Sequence, residues 1–231
     1  VTDDAAISAV AALGNELRRG MYRFARRLAR PMTRDEVAEY AGISLELAAF
    51  HLDRLVEAGL LQARYEHVGL RPVGPASRVY EPTDTEVQVS LPERRHDLLA
   101  RILMQAVLTE SGDENARDAT VRVAADEGIR TGRELREQLH TDRVGAERAL
   151  SIVANTLDQQ GFEPAKTDDT CLRLRNCPFH PLATQAPELV CGLNYAYVAG
   201  LVHGLDADAI HAELVPVPGE CCVEISVQPQ R

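Results

Sequence analysis

"TRDEVAEYAGISLELAAFHLDRLVEAGLL", residues 33–61, decides how the fold is read. Thr33, with Glu36 three residues on, forms a capping box, in which hydroxyl and carboxylate each satisfy a backbone N–H at a helix start. The helix should stop at Gly42, because glycine tolerates the left-handed conformation of a helix end. Ser44 then caps a second helix, and Gly59 ends it before an apolar Leu-Leu pair. Two helices joined by a tight turn containing glycine make a helix-turn-helix. Helical spacing places Ala48, Leu52, Leu55 and Val56 on an inward face, and Glu46, Ala49, Phe50, Asp53 and Arg54 on an outward one. Ser44, Glu46, Ala49, Phe50 and Arg54 are therefore the expected contacts to a DNA major groove.

Downstream, "LLQARYEHVGL" and "SRVYEPT" read as strands on either side of the breaker-rich "RPVGPA". Such a hairpin supplies a wing, with Arg64, His67, Arg71 and Arg78 available for phosphates or the minor groove. Over about residues 15–82 the pattern resembles the winged helix-turn-helix of ArsR-like and DeoR-like bacterial repressors. Their recognition helix similarly leads through a His-Leu pair, here His51 and Leu52, to an Ala-Gly-Leu end, here Ala58 to Leu60. Glu46 and Asp53 depart from a phosphate-seeking surface and need a cytosine amino group or an arginine partner.

Upstream, Arg18, Arg19, Arg23, Arg26, Arg27 and Arg30 fall in one helical segment. The formal charge of -10 hides this concentration: residues 1–80 hold 11 Arg and no Lys against 10 Asp and Glu, and the remaining 151 residues carry a net -11. A local basic surface is what phosphate contacts require, whatever the global charge.

With 45% hydrophobic residues the chain can bury a core, and no apolar stretch approaches the length of a membrane span. The opening "VTDDAAISAV" lacks the basic and long apolar regions of a secretory signal, so a cytoplasmic protein is expected. Residues 91–161 are helical by period. A helix is expected from Pro92 through Leu98, Leu99, Ile102, Leu103, Ala106 and Val107, another through "ARDATVRVAADEGIRTG", and a third through "GAERALSIVANTLDQQ" to Gly161. Beyond it, "CLRLRN", "AIHAELVPV" and "CCVEISV" alternate as strands, with a helix over residues 187–205. The expected fold is α+β: a winged helix-turn-helix at 1–90, a helical dimerisation region at 91–161, and a small α/β sensor domain at 162–231.

All five cysteines, at 171, 177, 191, 221 and 222, lie in the last 61 residues. Neither the short Cys-x(2–4)-Cys spacing of zinc knuckles nor a redox Cys-x-x-Cys occurs, so only a folded domain can bring these thiols together. Cys177 should be presented by a loop stiffened by Pro178, and Cys191 by a helix start whose dipole favours thiolate. Strand alternation lets one of Cys221 and Cys222 reach a given centre, and Cys222 is preferred because a core-facing Cys221 is explained by packing. His180 is a further candidate ligand, and Cys171 reads as buried filler.

The tail, with Cys-Pro-Phe-His, Val-Cys-Gly and a Pro-Gly turn into a Cys-bearing strand, resembles the sensor domain of SufR-type winged-helix repressors over about residues 171–225. The resemblance implies an iron-sulfur cluster, 4Fe-4S before 2Fe-2S, held by Cys177, Cys191 and Cys221 or Cys222. It implies a homodimeric repressor bound to palindromic double-stranded DNA. The doubled cysteine departs from the family pattern. Two alternatives stand beside this reading: a winged-helix regulator sensing zinc, arsenite or another soft metal or redox signal through the same thiols, and an enzyme or small-molecule-binding module fused to a helix-turn-helix. The last is disfavoured, because no phosphate loop, nucleophile elbow or metalloprotease motif is found. No enzymatic activity is expected.

Overall fold

The structure, a computed structural model, describes residues 4–67, 76–139 and 144–228. They form two compact units, divided between Ser90 and Leu91. Each contains one small antiparallel sheet and several helices, an α+β composition.

The first unit runs α1 (Asp4–Ala12), α2 (Glu16–Leu28), β1 (Met32–Thr33), α3 (Arg34–Ala41), α4 (Leu45–Glu57), β2 (Leu61–Glu66) and β3 (Ser77–Pro82). Both halves of the capping box form at α3: Glu36 N–H donates to Thr33 Oγ1, and Thr33 N–H donates to Glu36 Oε2 at 2.7 Å. Gly42 closes α3 at φ 65°, and Ser44 Oγ accepts from Leu47 N–H at 3.2 Å to open α4. Gly59, at φ 70°, turns the chain so that Leu60 N–H bonds back to Leu55 and β2 can begin. The sheet order is β1-β3-β2, with Tyr80 opposite both Met32 and Ala63. Met21, Met32, Val37, Leu52, Leu55 and Leu61 are closed off from solvent beneath it. Burying side chains of this size contributes about 1.5–3 kcal/mol each relative to exposure, before the entropy of ordering is set against it.

The second unit runs α5 (His96–Thr109), α6 (Ala116–Leu139), α7 (Ala146–Asp158), β4 (Pro164–Asp168), β5 (Cys171–Leu174), α8 (Leu182–Gln185), α9 (Pro187–Gly204), β6 (Ile210–Leu214) and β7 (Val223–Val227). Its sheet is antiparallel throughout, in the order β4-β5-β7-β6. Helix α7 lies on the sheet, and α9 packs along α6. The α6–α9 contact is backbone to backbone. A Cβ added at Gly128 would stand 2.0 Å from the Tyr197 carbonyl oxygen, and one at Gly204 2.2 Å from that of Ile129. Gly132 and Gly200 are as tightly confined, so a four-residue glycine spacing on each helix interlocks the pair.

Several expectations change. Residues 91–161, read as a separate dimerisation region, share one hydrophobic core with residues 162–231. Pro92 does not lie in a first helical turn: it follows a cis peptide bond, and α5 begins at His96. Val107, read with the apolar stripe of that helix, is 71% exposed, beside exposed Met104 and Leu108. Strand β7 begins at Val223, so strand alternation does not govern Cys221 and Cys222. Among the described residues no helix is long and apolar enough to cross a membrane.

Candidate thiol site and nucleic-acid face

Four of the five cysteines meet in the second unit. Cys177 follows β5 on a loop pinned from both sides. Asn176, buried, accepts from Arg94 Nη1 at 2.6 Å and donates to the carbonyls of Glu93 and Gly161. Arg95 N–H donates to the Pro178 carbonyl, and Phe179 seats edge-on against Phe162 with 6.2 Å between ring centroids. The residue after a strand would otherwise swing freely; here both backbone and side chains fix it. Cys191 lies one turn into α9, and Cys221 and Cys222 form the bend that leads into β7.

The thiols interact in a chain, Cys177 to Cys221, Cys221 to Cys222, and Cys222 to Cys191. Hydrogen bonding from Cys221, and from the backbone N–H groups of Phe179 and His180, holds the Cys177 thiol below its ordinary value against the opposing effect of burial. Cys222, bonded by Cys221, Cys191 and Asn194, is pushed down to about 6. Cys221 moves upward, because it donates to both Cys177 and Cys222 and is fully buried. Donating neighbours stabilise a thiolate and burial opposes it. Cys191 corrects an expectation: burial, followed by its bond to Cys222, pushes it up to about 12, so the helix start does not make it the most acidic thiol.

Cys177, Cys191 and Cys222 line one cavity of about 660 Å³, together with Arg94, Arg175 and His180. Cys221 is behind its wall. His180 is exposed, its N–H donates to the Cys177 carbonyl, and its own carbonyl meets His96 Nε2 at 3.1 Å. Cys171 stands apart on β5 opposite Ser226, half-buried rather than closed off as filler would be. Asn194 was missed by sequence reasoning. It is fully buried on α9, three residues after Cys191, and donates to Cys221 Sγ at 3.1 Å and more distantly to Cys222 Sγ at 3.9 Å. The signal was available: it is a polar residue amid an apolar helix, one turn from a cysteine. Among the described residues no group of three or more His, Cys, Asp or Glu stands in a metal-holding arrangement. What the site offers is four neighbouring thiols from three segments, without a preset metal geometry.

In the first unit, α4 turns Leu52 and Leu55 inward and Phe50 outward, half exposed. Arg54 lies 5.5 Å over the Phe50 ring and pairs with Glu57 at 2.8 Å. Ser44 and Glu46 are exposed, and Ala49 is half-buried. The Glu46 carboxylate is held low by backbone hydrogen bonding and by Ser44. Asp53 pairs with Arg78 of β3 at 2.8 Å, so neither charge is free on this face. Arg64 is shared between Glu66 and Glu81, which reduces the free charge of the hairpin. His67 is exposed, and Arg71 lies outside the described residues. Of the arginines expected on one helix, Arg18 and Arg19 donate to the Ala12 and Leu13 carbonyls at the end of α1, and Arg23 and Arg26 are exposed on α2; Arg30 lies beyond α2, which closes at Ala29 in the left-handed conformation, and pairs with Glu36. Tyr65, on the same parity of β2 as Leu61 and Ala63, is nevertheless 74% exposed.

No family model, curated protein or solved structure matches the chain.

Proposed function

We propose that this protein is a DNA-binding transcriptional regulator, a repressor, whose operator affinity is set by an iron-sulfur cluster, 4Fe-4S before 2Fe-2S, on Cys177, Cys191 and Cys222. The observation that carries the reading is the convergence of four thiols from distant segments, three of them lining one cavity. A cluster bound there supplies an oxygen- and iron-responsive charge centre held by thiolate. The chain's own residues do the rest: backbone N–H groups of Phe179 and His180 stabilise thiolate at Cys177, Asn194 does so at Cys222, and Arg94 and Arg175 offset negative charge at the rim.

On this reading α3 and α4 form a helix-turn-helix, with the β2–β3 hairpin as its wing and the Phe50–Arg54 face entering the major groove. The exposed Met104, Val107 and Leu108 on α5 support a homodimer, matching a palindromic operator in a cytoplasmic setting. Cluster and operator are then linked reciprocally, each favouring the same state of the dimer. Catalysis forms no part of this proposal.

A second reading, in which the same thiols hold zinc or another soft metal, is favoured by one observation. The thiols are close enough to hydrogen-bond to one another, and tetrahedral zinc requires sulfurs about 3.8 Å apart. Protein purified without oxygen should be brown and contain iron and acid-labile sulfide, and Cys177→Ser or Cys191→Ser should abolish cluster-dependent operator binding. A colourless preparation with stoichiometric zinc would replace the first reading with the second.

A further inference from the structure

The adjacent pair Cys221-Cys222 poses a choice that neither strand geometry nor burial settles, since both side chains are buried. Both sulfurs lie within reach of one amide, that of Asn194, but unequally, at 3.1 Å and 3.9 Å. The nearer sulfur is the one that does not line the cavity. The backbone of the pair is fastened as well: Cys221 N–H donates to the Leu174 carbonyl at 3.0 Å, and the Cys222 carbonyl accepts from Val215 at 2.8 Å. Asn194 is itself fully enclosed, and its Oδ1 has no hydrogen-bond partner among the described residues. An unmatched buried acceptor is costly, so its place in the enclosed middle of α9 points to a task for the amide's donor end.

We infer that Asn194 is the positioning residue of the thiol site: it ties Cys221 into the core, so that Cys222 alone of the pair faces the cavity and serves as ligand. This deepens the proposed thiol centre and rests on it for what is bound, though not for where the sulfurs stand. Cys191 and Asn194 share a face of α9 one turn apart, so a single helix both supplies a ligand and selects its partner. Cys221 is left as a reserve thiol, close to Cys177 and Cys222 yet held away from the opening.

Pulsed iodoacetamide labelling of the reduced, chelator-treated full chain tests this directly, with peptide fragmentation assigning label to Cys221 or Cys222 and Cys171 as internal reference. Cys222 should label at least about tenfold faster than Cys221, as it alone of the pair lines the cavity. In Asn194→Leu, which keeps the branched shape but removes the donor, Cys221 itself should label at least about threefold faster while Cys171 is unchanged, an effect that neither general loosening nor a weaker Cys222 thiolate would give; an unchanged Cys221 rate overturns the positioning role. Anaerobic loading with iron and sulfide, or with zinc alone, should be unaffected by Cys221→Ser and fall to less than about a tenth in Cys222→Ser. Equal labelling of the two thiols in the unmodified protein, or loss of loading in Cys221→Ser, overturns the assignment. Should Asn194→Leu fail to fold, the same rise in the Cys221 rate is read in Asn194→Ala. If no metal loads in any form, the metal reading fails, and the Cys221 labelling rate in the Asn194 variant still judges the positioning role.

Discussion

Helices α4 and α9 bury themselves in opposite ways. Helix α4 encloses a single stripe, Ala48, His51, Leu52 and Leu55, and leaves Phe50 and Arg54 outside. Helix α9 is enclosed on most of its circumference, by α6, the sheet and the thiol segment, and meets α6 through glycine rather than large side chains. A helix with one buried stripe can change its outer face without harm to its fold. A helix buried nearly all round has no such freedom, and any polar group on it must find a partner or exact a cost. Recognition chemistry therefore suits the first, and a fixed constellation of sulfurs suits the second.

Four substitutions would break or sharpen that contrast. Gly128→Leu should be the most damaging, because even its first side-chain carbon meets Tyr197 backbone; a loss above about 4 kcal/mol is expected in urea unfolding. Retention of wild-type stability would show that α6 and α9 can part without consequence. Leu52→Ala, on the buried stripe of α4, should cost about 3 kcal/mol by the same measurement. Thr33→Ala removes the cap of α3 and should cost about 1 kcal/mol. Phe50→Ala should change stability by less than about 0.5 kcal/mol. If α4 is the reading helix, it should nevertheless weaken operator binding, as a gel-shift titration would report.

Acid sharpens the third of these. The Glu36 carboxyl is held low by Arg30, then by Thr33 N–H. Its charged form is therefore preferred in the folded state, and the stabilisation is complete above the ordinary carboxylate range and lost as pH falls through the lowered value. Half-exposed groups are screened, so the effect should be a few tenths of a kcal/mol. Glu36→Gln and the parent chain should differ at neutral pH and converge in acid; a constant gap would refute the linkage.

The first unit was largely legible because its signals are local. Thr33, Gly42, Ser44 and Gly59 act within a turn of where they stand, and each occupies its expected cap or bend. The second unit was legible element by element, but not in assembly. Residues 164–168 pair with β5 as a strand that their own composition did not announce. The spacing of Gly128 with Gly132, and of Gly200 with Gly204, acquires meaning only when two helices distant in sequence are laid together. The cysteines were found by type, whereas their order depended on tertiary facts: the late start of β7, the wall that hides Cys221, and the amide of Asn194. The acidity expected of Cys191 failed for the same reason, because enclosure and a neighbouring sulfur outweigh a helix start.

The grip of Arg94 on Asn176, and of Arg95 on Pro178, has a mechanical side. Ser90 ends the first unit, so these arginines stand on the stretch of chain by which the second is tethered to it. The loop that presents Cys177 is thus fastened to the opening residues of its own unit. A change of length or charge at that sulfur therefore meets resistance on both sides, since the residue before it and the residue after it are each held by an arginine.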